Sequence, residues 1–108
     1  MSDVLKQIEA DVKSNKVIVY MKGTKDAPQC GFSAAVVDVF KMLSVPFETR
    51  NVLADSDLRE AIKQYSNWPT IPQIFIDGKF IGGCDIVREL FANGELKTVV
   101  DKALKSPL

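Results

Sequence analysis

The chain has 108 residues, of which 46% are apolar, and its 14 Lys plus Arg balance 14 Asp plus Glu. That is the size of one domain, predicted over residues 1–108, able to bury a core without disulfide staples. Zero net charge gives no global field toward nucleic acid or membrane, and two cysteines with no histidine exclude a four-ligand zinc site made by the chain alone.

Ser2 or Asp3 is positioned to cap a first helix, in which Leu5, Ile8 and Val12 fall on one face. Lys6, Glu9, Asp11 and Lys13 form its solvated face, and Ser14-Asn15 ends it. Met1-Ser2-Asp3-Val4 lacks the basic-then-apolar signature of a secretory signal. No apolar run is long enough to span a bilayer. A reducing compartment is expected, and bacterial cytoplasm and mitochondrial matrix both fit. Val17 to Met21 is apolar throughout rather than alternating, which predicts a strand covered on both faces.

The loop from Lys22 to Gln29 holds the turn-formers Gly23, Asp26 and Pro28. A second helix is predicted from about Cys30 to Leu43, with Val36, Val39, Phe40 and Leu43 on one face, closed by Ser44-Val45-Pro46. Cys30 therefore stands at a loop-to-helix junction. The unpaired N–H groups of a helix start favour a thiolate, which is both the nucleophile and the metal ligand. Ser33 stands where a Cys-x-x-Cys motif would have its second sulfur, so the site has one reactive thiol.

Phe47 to Val52 reads as a short strand, completing a βαβ unit with parallel strands. Asp55 or Ser56 caps a third helix with Leu58, Ile62 and Tyr65 inward and Arg59 and Lys63 together on another face. Trp68-Pro69-Thr70-Ile71-Pro72 is a loop stiffened by its prolines. Asp77-Gly78 between Gln73–Ile76 and Lys79–Ile81 is a hairpin signal. Gly82-Gly83-Cys84-Asp85 opens a helix with Asp85 as N-cap and Ile86, Val87, Leu90 and Phe91 inward, ended by Gly94. A last helix turns Leu96, Val99, Val100 and Ala103 inward and frays at Ser106-Pro107. The order is an α/β, thioredoxin-like fold: a four-stranded mixed sheet flanked by helices, with an extra N-terminal helix.

Four separated pieces carry a resemblance: Lys22, Cys30-Gly31-Phe32-Ser33, Trp68-Pro69-Thr70-Ile71-Pro72 and Gly82-Gly83-Cys84-Asp85. In this order and spacing, from about Lys16 to Leu96, the chain resembles the single-domain monothiol glutaredoxins of the Cys-Gly-Phe-Ser type. It departs from many of them at Lys25, where they have proline; the change is expected to loosen the loop and touches none of the contacts the family implies. The resemblance implies a glutathione groove. Lys22 and Arg59 would meet the glycine carboxylate. Ile71, before a cis Pro72, would offer its backbone N–H and C=O, with Thr70 beside it. Gly83 would allow close approach. Cys84 and Asp85 would meet the γ-glutamyl end through their backbone N–H groups and the Asp85 carboxylate. Trp68 reads as a loop anchor. Cys84 reads as a buried spacer or as a distant thiol able to pair with Cys30 under oxidation.

Two functions follow. In the first, Cys30 attacks a glutathionylated partner and a second glutathione releases it, a glutathione-dependent thiol–disulfide oxidoreductase. In the second, the protein is a carrier of a [2Fe–2S] cluster, for which it is mainly suited. The cluster needs four thiolate-type ligands, and two glutathiones with two copies of Cys30 supply four in a homodimer. BolA-type proteins and iron–sulfur recipient apoproteins are the partners this family implies, with no nucleic acid or membrane. A redox-inert interaction module is the third and blandest reading, opposed by the retained groove residues.

Overall fold

The structure, a computed structural model, describes residues 3–107. Its elements run α1 (Asp3–Ser14), β1 (Val17–Met21), α2 (Gly31–Leu43), β2 (Glu48–Asn51), α3 (Ser56–Ser66), β3 (Gln73–Ile76), β4 (Lys79–Gly82), α4 (Cys84–Ala92) and α5 (Glu95–Lys105). The strands form one sheet in the order β2-β1-β3-β4. β1 pairs parallel with β2 and antiparallel with β3, and β3 pairs antiparallel with β4.

β1 is central and all five of its residues are buried. Strand alternation sends Val17, Val19 and Met21 to one face and Ile18 and Tyr20 to the other. The first set packs with Val36, Val37, Phe40, Val87, Leu96 and Val100 of α2, α4 and α5. The second packs with Ile8, Val12 and Ile62 of α1 and α3. β3 divides the same way, Ile74 and Ile76 to the first cluster and Phe75 to the second. Helices on both faces explain the uninterrupted apolar run. Each large side chain buried here contributes about 1.5–3 kcal/mol against the cost of ordering the chain.

The two outer strands are short and carry charge: β2 is Glu48-Thr49-Arg50-Asn51, and β4 begins with Lys79. The β3–β4 turn is Asp77-Gly78, with positive φ at both residues (54° and 78°), as a two-residue hairpin turn requires.

Several boundaries differ from the sequence reading. Asp3 lies inside the first turn of α1 and not before it, and Ser2 lies outside the described residues. β2 loses Phe47 and Val52, while β4 gains Gly82. Asp55, not Ser56, caps α3, its carboxylate accepting from the N–H groups of Asp57 and Leu58 at 3.0 and 3.1 Å. Gly83, not Asp85, is the N-cap of α4, which leaves Asp85 in the first turn, where its charge still faces the positive helix end. Gly94 takes the left-handed conformation (φ 83°) just beyond Ala92 and Asn93. Ile86 and Val99, expected inward, are exposed. Ile86 packs on Gly82 at the head of α4, and Val99 falls beside the buried stripe of Leu96, Val100 and Ala103.

Candidate functional site around Cys30

The C-terminal end of β1, the N-terminus of α2, the loop before β3 and the head of α4 meet at a cavity of about 500 Å³. Lys22, Cys30, Arg59, Thr70, Ile71, Pro72, Gly83, Cys84 and Asp85, singled out in the sequence, all line it. Phe32, Lys63, Trp68, Pro69 and Ile86 complete the wall.

Cys30 is the N-cap of α2, with extended backbone (φ −150°, ψ 137°). Its side chain makes no capping hydrogen bond of standard geometry, so the sulfur is free to meet a ligand. The thiol is nevertheless held below its ordinary pKa. The backbone N–H of Ser33 does most of this, against an opposing effect of burial, followed by the Phe32 N–H, the Lys22 charge and the Ser33 hydroxyl. Cys84 lines the same cavity but differs in burial and acidity. It is buried at 7% exposure in the core cluster, and burial pushes its thiol up. Both cysteines are free.

The loop before Cys30 is fixed mainly by its backbone. The Gln29 N–H donates to the Lys22 carbonyl at 2.9 Å, and the Gly23 N–H donates to Asn51 Oδ1 at 3.0 Å. Gly23 has φ +91°, and a Cβ there would stand 2.5 Å from the Ala27 carbonyl oxygen, so glycine is required. Asn51 accepts a second bond from the Leu53 N–H at 2.9 Å, tying the end of β2 to the loop.

The Ile71–Pro72 peptide is cis. Among the described residues, the Ile71 backbone makes no hydrogen bond, so its N–H and C=O are available at the cavity. The loop around it is held from beneath by Gln73, a fully buried amide that donates to the carbonyls of Trp68 (2.9 Å) and Thr70 (3.2 Å). Trp68 stacks at a tilt on Phe80, 5.6 Å between centroids, so it does anchor the loop. It also lines the cavity, and its Nε1 is buried with no hydrogen-bond partner among the described residues. Arg59 Nε is in the same condition. A Cβ on Gly83 would lie 3.4 Å from the Pro72 carbonyl and 3.6 Å from Trp68 Nε1, which keeps the wall bare at that point.

Three cations, Lys22, Arg59 and Lys63, therefore line the cavity together with one carboxylate, Asp85 in the first turn of α4. An extended zwitterionic thiol suits such a distribution: carboxylate at the cations, thiol at Cys30, ammonium at Asp85. Sequence reasoning missed Ser33, Asn51, Gln73, Lys63 and Ile86. Lys63 was legible, since it lies four residues from Arg59 and so on the same helix face.

A glutaredoxin family model matches residues 17–81. The chain belongs to the monothiol glutaredoxins. An "uncharacterized monothiol glutaredoxin ycf64-like" of Synechocystis is 56% identical over 93% of this chain and 94% of its own length. Two plant relatives are longer: the chain spans 56% of the chloroplastic monothiol glutaredoxin-S7 of rice, at 55% identity, and 57% of the mitochondrial monothiol glutaredoxin-S15 of Arabidopsis thaliana, at 52%. They match 88% and 89% of this chain. Among solved structures, reduced poplar apo GrxS14 superposes with a TM-score of 0.83 at 51% identity, covering 94% of this chain and 93% of that one. A buckwheat glutaredoxin–glutathione complex superposes with a TM-score of 0.83 at 29% identity, covering 96% and 93%. The thioredoxin-like architecture read from the sequence, with its additional N-terminal helix, is the one these glutaredoxins share.

Proposed function

We propose that this monothiol glutaredoxin binds glutathione in the cavity around Cys30 and, as a homodimer, carries a bridging [2Fe–2S] cluster for iron–sulfur assembly and iron homeostasis. One observation carries the reading: a single accessible, thiolate-favouring sulfur lines a groove together with Lys22, Arg59, Lys63 and Asp85, while the second sulfur is buried. Such a chain has one ligand to give. Among the described residues no three His, Cys, Asp or Glu side chains converge as a metal site, so the remaining ligands come from outside the chain. A glutathione thiol beside Cys30 and the same pair from a second copy complete four.

Arg59 supports glutathione in particular, because its guanidinium lines the cavity and would pair with a ligand carboxylate there. Lys22 contributes charge to the same cavity, and Thr70, Ile71 and Pro72 line it as well. The Ile71 backbone would pair with an extended ligand as a neighbouring strand does. Gly83, Cys84 and Asp85 would receive the γ-glutamyl end, with helix N–H groups for the carboxylate and the Asp85 carboxylate for the ammonium. A cluster held at the protein surface by two small thiols suits transfer to recipient apoproteins, with BolA-type proteins as further partners. The chain would act in a reducing compartment, either bacterial cytoplasm or mitochondrial matrix. No described helix is long and apolar enough to cross a membrane.

The second reading, a glutathione-dependent oxidoreductase, is favoured by the same lowered thiol. The Cys30 thiolate attacks the glutathione sulfur of a mixed disulfide and the partner leaves as a thiolate. A second glutathione thiolate then attacks the Cys30–glutathione disulfide, giving glutathione disulfide and restoring Cys30. Anaerobic reconstitution with iron, sulfide and glutathione decides between the two. A coloured dimer that requires both glutathione and Cys30 supports the carrier. A colourless monomer with brisk turnover of mixed glutathione disulfides supports the enzyme.

A further inference from the structure

The loop between β1 and α2 holds one contact that the groove does not use. Lys25 Nζ donates to the Phe47 carbonyl and stands 4.3 Å from the centroid of the Phe47 ring. Phe47 lies just before β2, and its ring rests on Phe40 of α2 at 5.6 Å. Phe40 is fully buried. Lys25 thus runs from the Cys30 loop to a partly buried residue packed against the core. Both of its interactions call for a cation: a charged donor strengthens the bond to the carbonyl, and the ring face attracts positive charge. Among the described ion pairs none involves Lys25, so no carboxylate competes for it.

At the position where many relatives have proline, a side-chain contact from Lys25 to Phe47 stands in place of a backbone restriction. The other bonds of the segment are mostly internal. Thr24 and Ala27 close a turn on each other at 3.1 and 3.2 Å, and Gln29 bonds back to Lys22. Internal bonds shape the loop without attaching it. Attachment comes from Asn51 at the Gly23 end and from Lys25 at the tip.

We infer that Lys25 is a positioning residue: its ammonium ties the loop tip to the start of β2 and so fixes the Pro28-Gln29 approach to Cys30. The tether stands independently of what the groove binds; its effect on ligand affinity rests on the glutathione reading. Lys25→Met keeps the length and removes the charge, and Lys25→Arg keeps the charge. Hydrogen exchange by NMR is expected to show the Ala27 and Gln29 amides of Lys25→Met exchanging about five- to tenfold faster, with the urea midpoint nearly unchanged and protection restored in Lys25→Arg. Glutathione titration is expected to give about three- to fivefold weaker binding for Lys25→Met and native binding for Lys25→Arg. Native loop protection in Lys25→Met, a uniform loss of protection across the protein, failure of Arg to restore it, or faster loop exchange with unchanged glutathione affinity overturns the assignment. If the native protein binds no glutathione, the exchange result still decides the tether, and the groove reading alone falls.

Discussion

The hydroxyl oxygen of Ser33 accepts a hydrogen bond from the backbone N–H of Lys22 at 3.2 Å. Ser33 is fully buried, so this bond satisfies a hydroxyl away from water and pairs a donor at the end of β1. It also orients the serine. With its oxygen engaged by Lys22, the hydroxyl proton is free to point at Cys30, consistent with the lowering that Ser33 exerts on that thiol. The residue that replaces a second cysteine is therefore a link between strand and helix on either side of the reactive sulfur.

Ser33→Ala should cost about 1–2 kcal/mol, the penalty for leaving the Lys22 N–H unpaired. Urea denaturation measures it. Replacement by threonine, which keeps the hydroxyl but adds a methyl in a filled space, should cost a similar amount through overpacking. An alanine variant as stable as the native protein would show that the bond is dispensable.

The two cysteines should separate by pH. The pKa of Cys30 is lowered and that of Cys84 raised, so alkylation by iodoacetamide should modify Cys30 first, with a rate that stays high to lower pH than for a free thiol. The signs for stability are opposite. Lowered Cys30 contributes stability above the unfolded thiol value, about 8.5, and loses it as pH falls through its folded value. Raised Cys84 contributes stability below that value and loses it as pH rises. Mass spectrometry after brief alkylation across pH 5–9 reads the order directly. Under the proposed function, Cys30→Ser should abolish cluster binding and redox turnover alike, whereas Cys84→Ser should leave cluster binding largely intact.

Tyr20 is fully buried, and its hydroxyl has no hydrogen-bond partner among the described residues. Burial, and then the Asp11 charge, push its phenol well above 10. In the unfolded chain that phenol ionises near 10, so above this pH the folded state holds a proton that the unfolded state has lost, and stability falls as pH rises. Tyr20→Phe should be neutral to about 1 kcal/mol stabilising at pH 7, and should flatten the alkaline decline. Thermal melts from pH 7 to 11 test both.

Gly23→Ala should be costly, by about 2 kcal/mol or more, because φ is +91° and the added methyl would meet the Ala27 carbonyl at 2.5 Å and the Gln29 nitrogen at 2.6 Å. NMR shift changes should concentrate between Lys22 and Ser33. The same substitution at Gly31, where a Cβ meets nothing within 4 Å, should be nearly silent for stability and serves as the control.

The elements were legible because their signals are local. An uninterrupted Val17–Met21 run announces a strand covered on both faces, and Asp77-Gly78 announces its hairpin. Most residues lining the cavity were legible through the four motifs, whereas Arg59, Lys63 and Ile86 lie outside them. What stayed hidden depends on distances between remote segments. Ser33 reads as an absent cysteine until Lys22, eleven residues away, is seen to donate to it. Gln73 reads as the polar end of a strand until its amide is found beneath Trp68 and Thr70. Ile86 shows that helical periodicity separates apolar from polar faces without distinguishing core from rim: it has the spacing of a buried residue and lines the cavity that holds Cys30.

The short, charged outer strands have a consequence for how copies meet. An open sheet edge is a template for adding another strand, and Glu48, Arg50 and Lys79 place charge along β2 and β4 where a neighbouring backbone would have to dock. Continuous sheets across molecules are thereby discouraged. Association is left to surfaces such as the Cys30 rim, where Phe32 is 62% exposed and contact can be made and released without unzipping a strand.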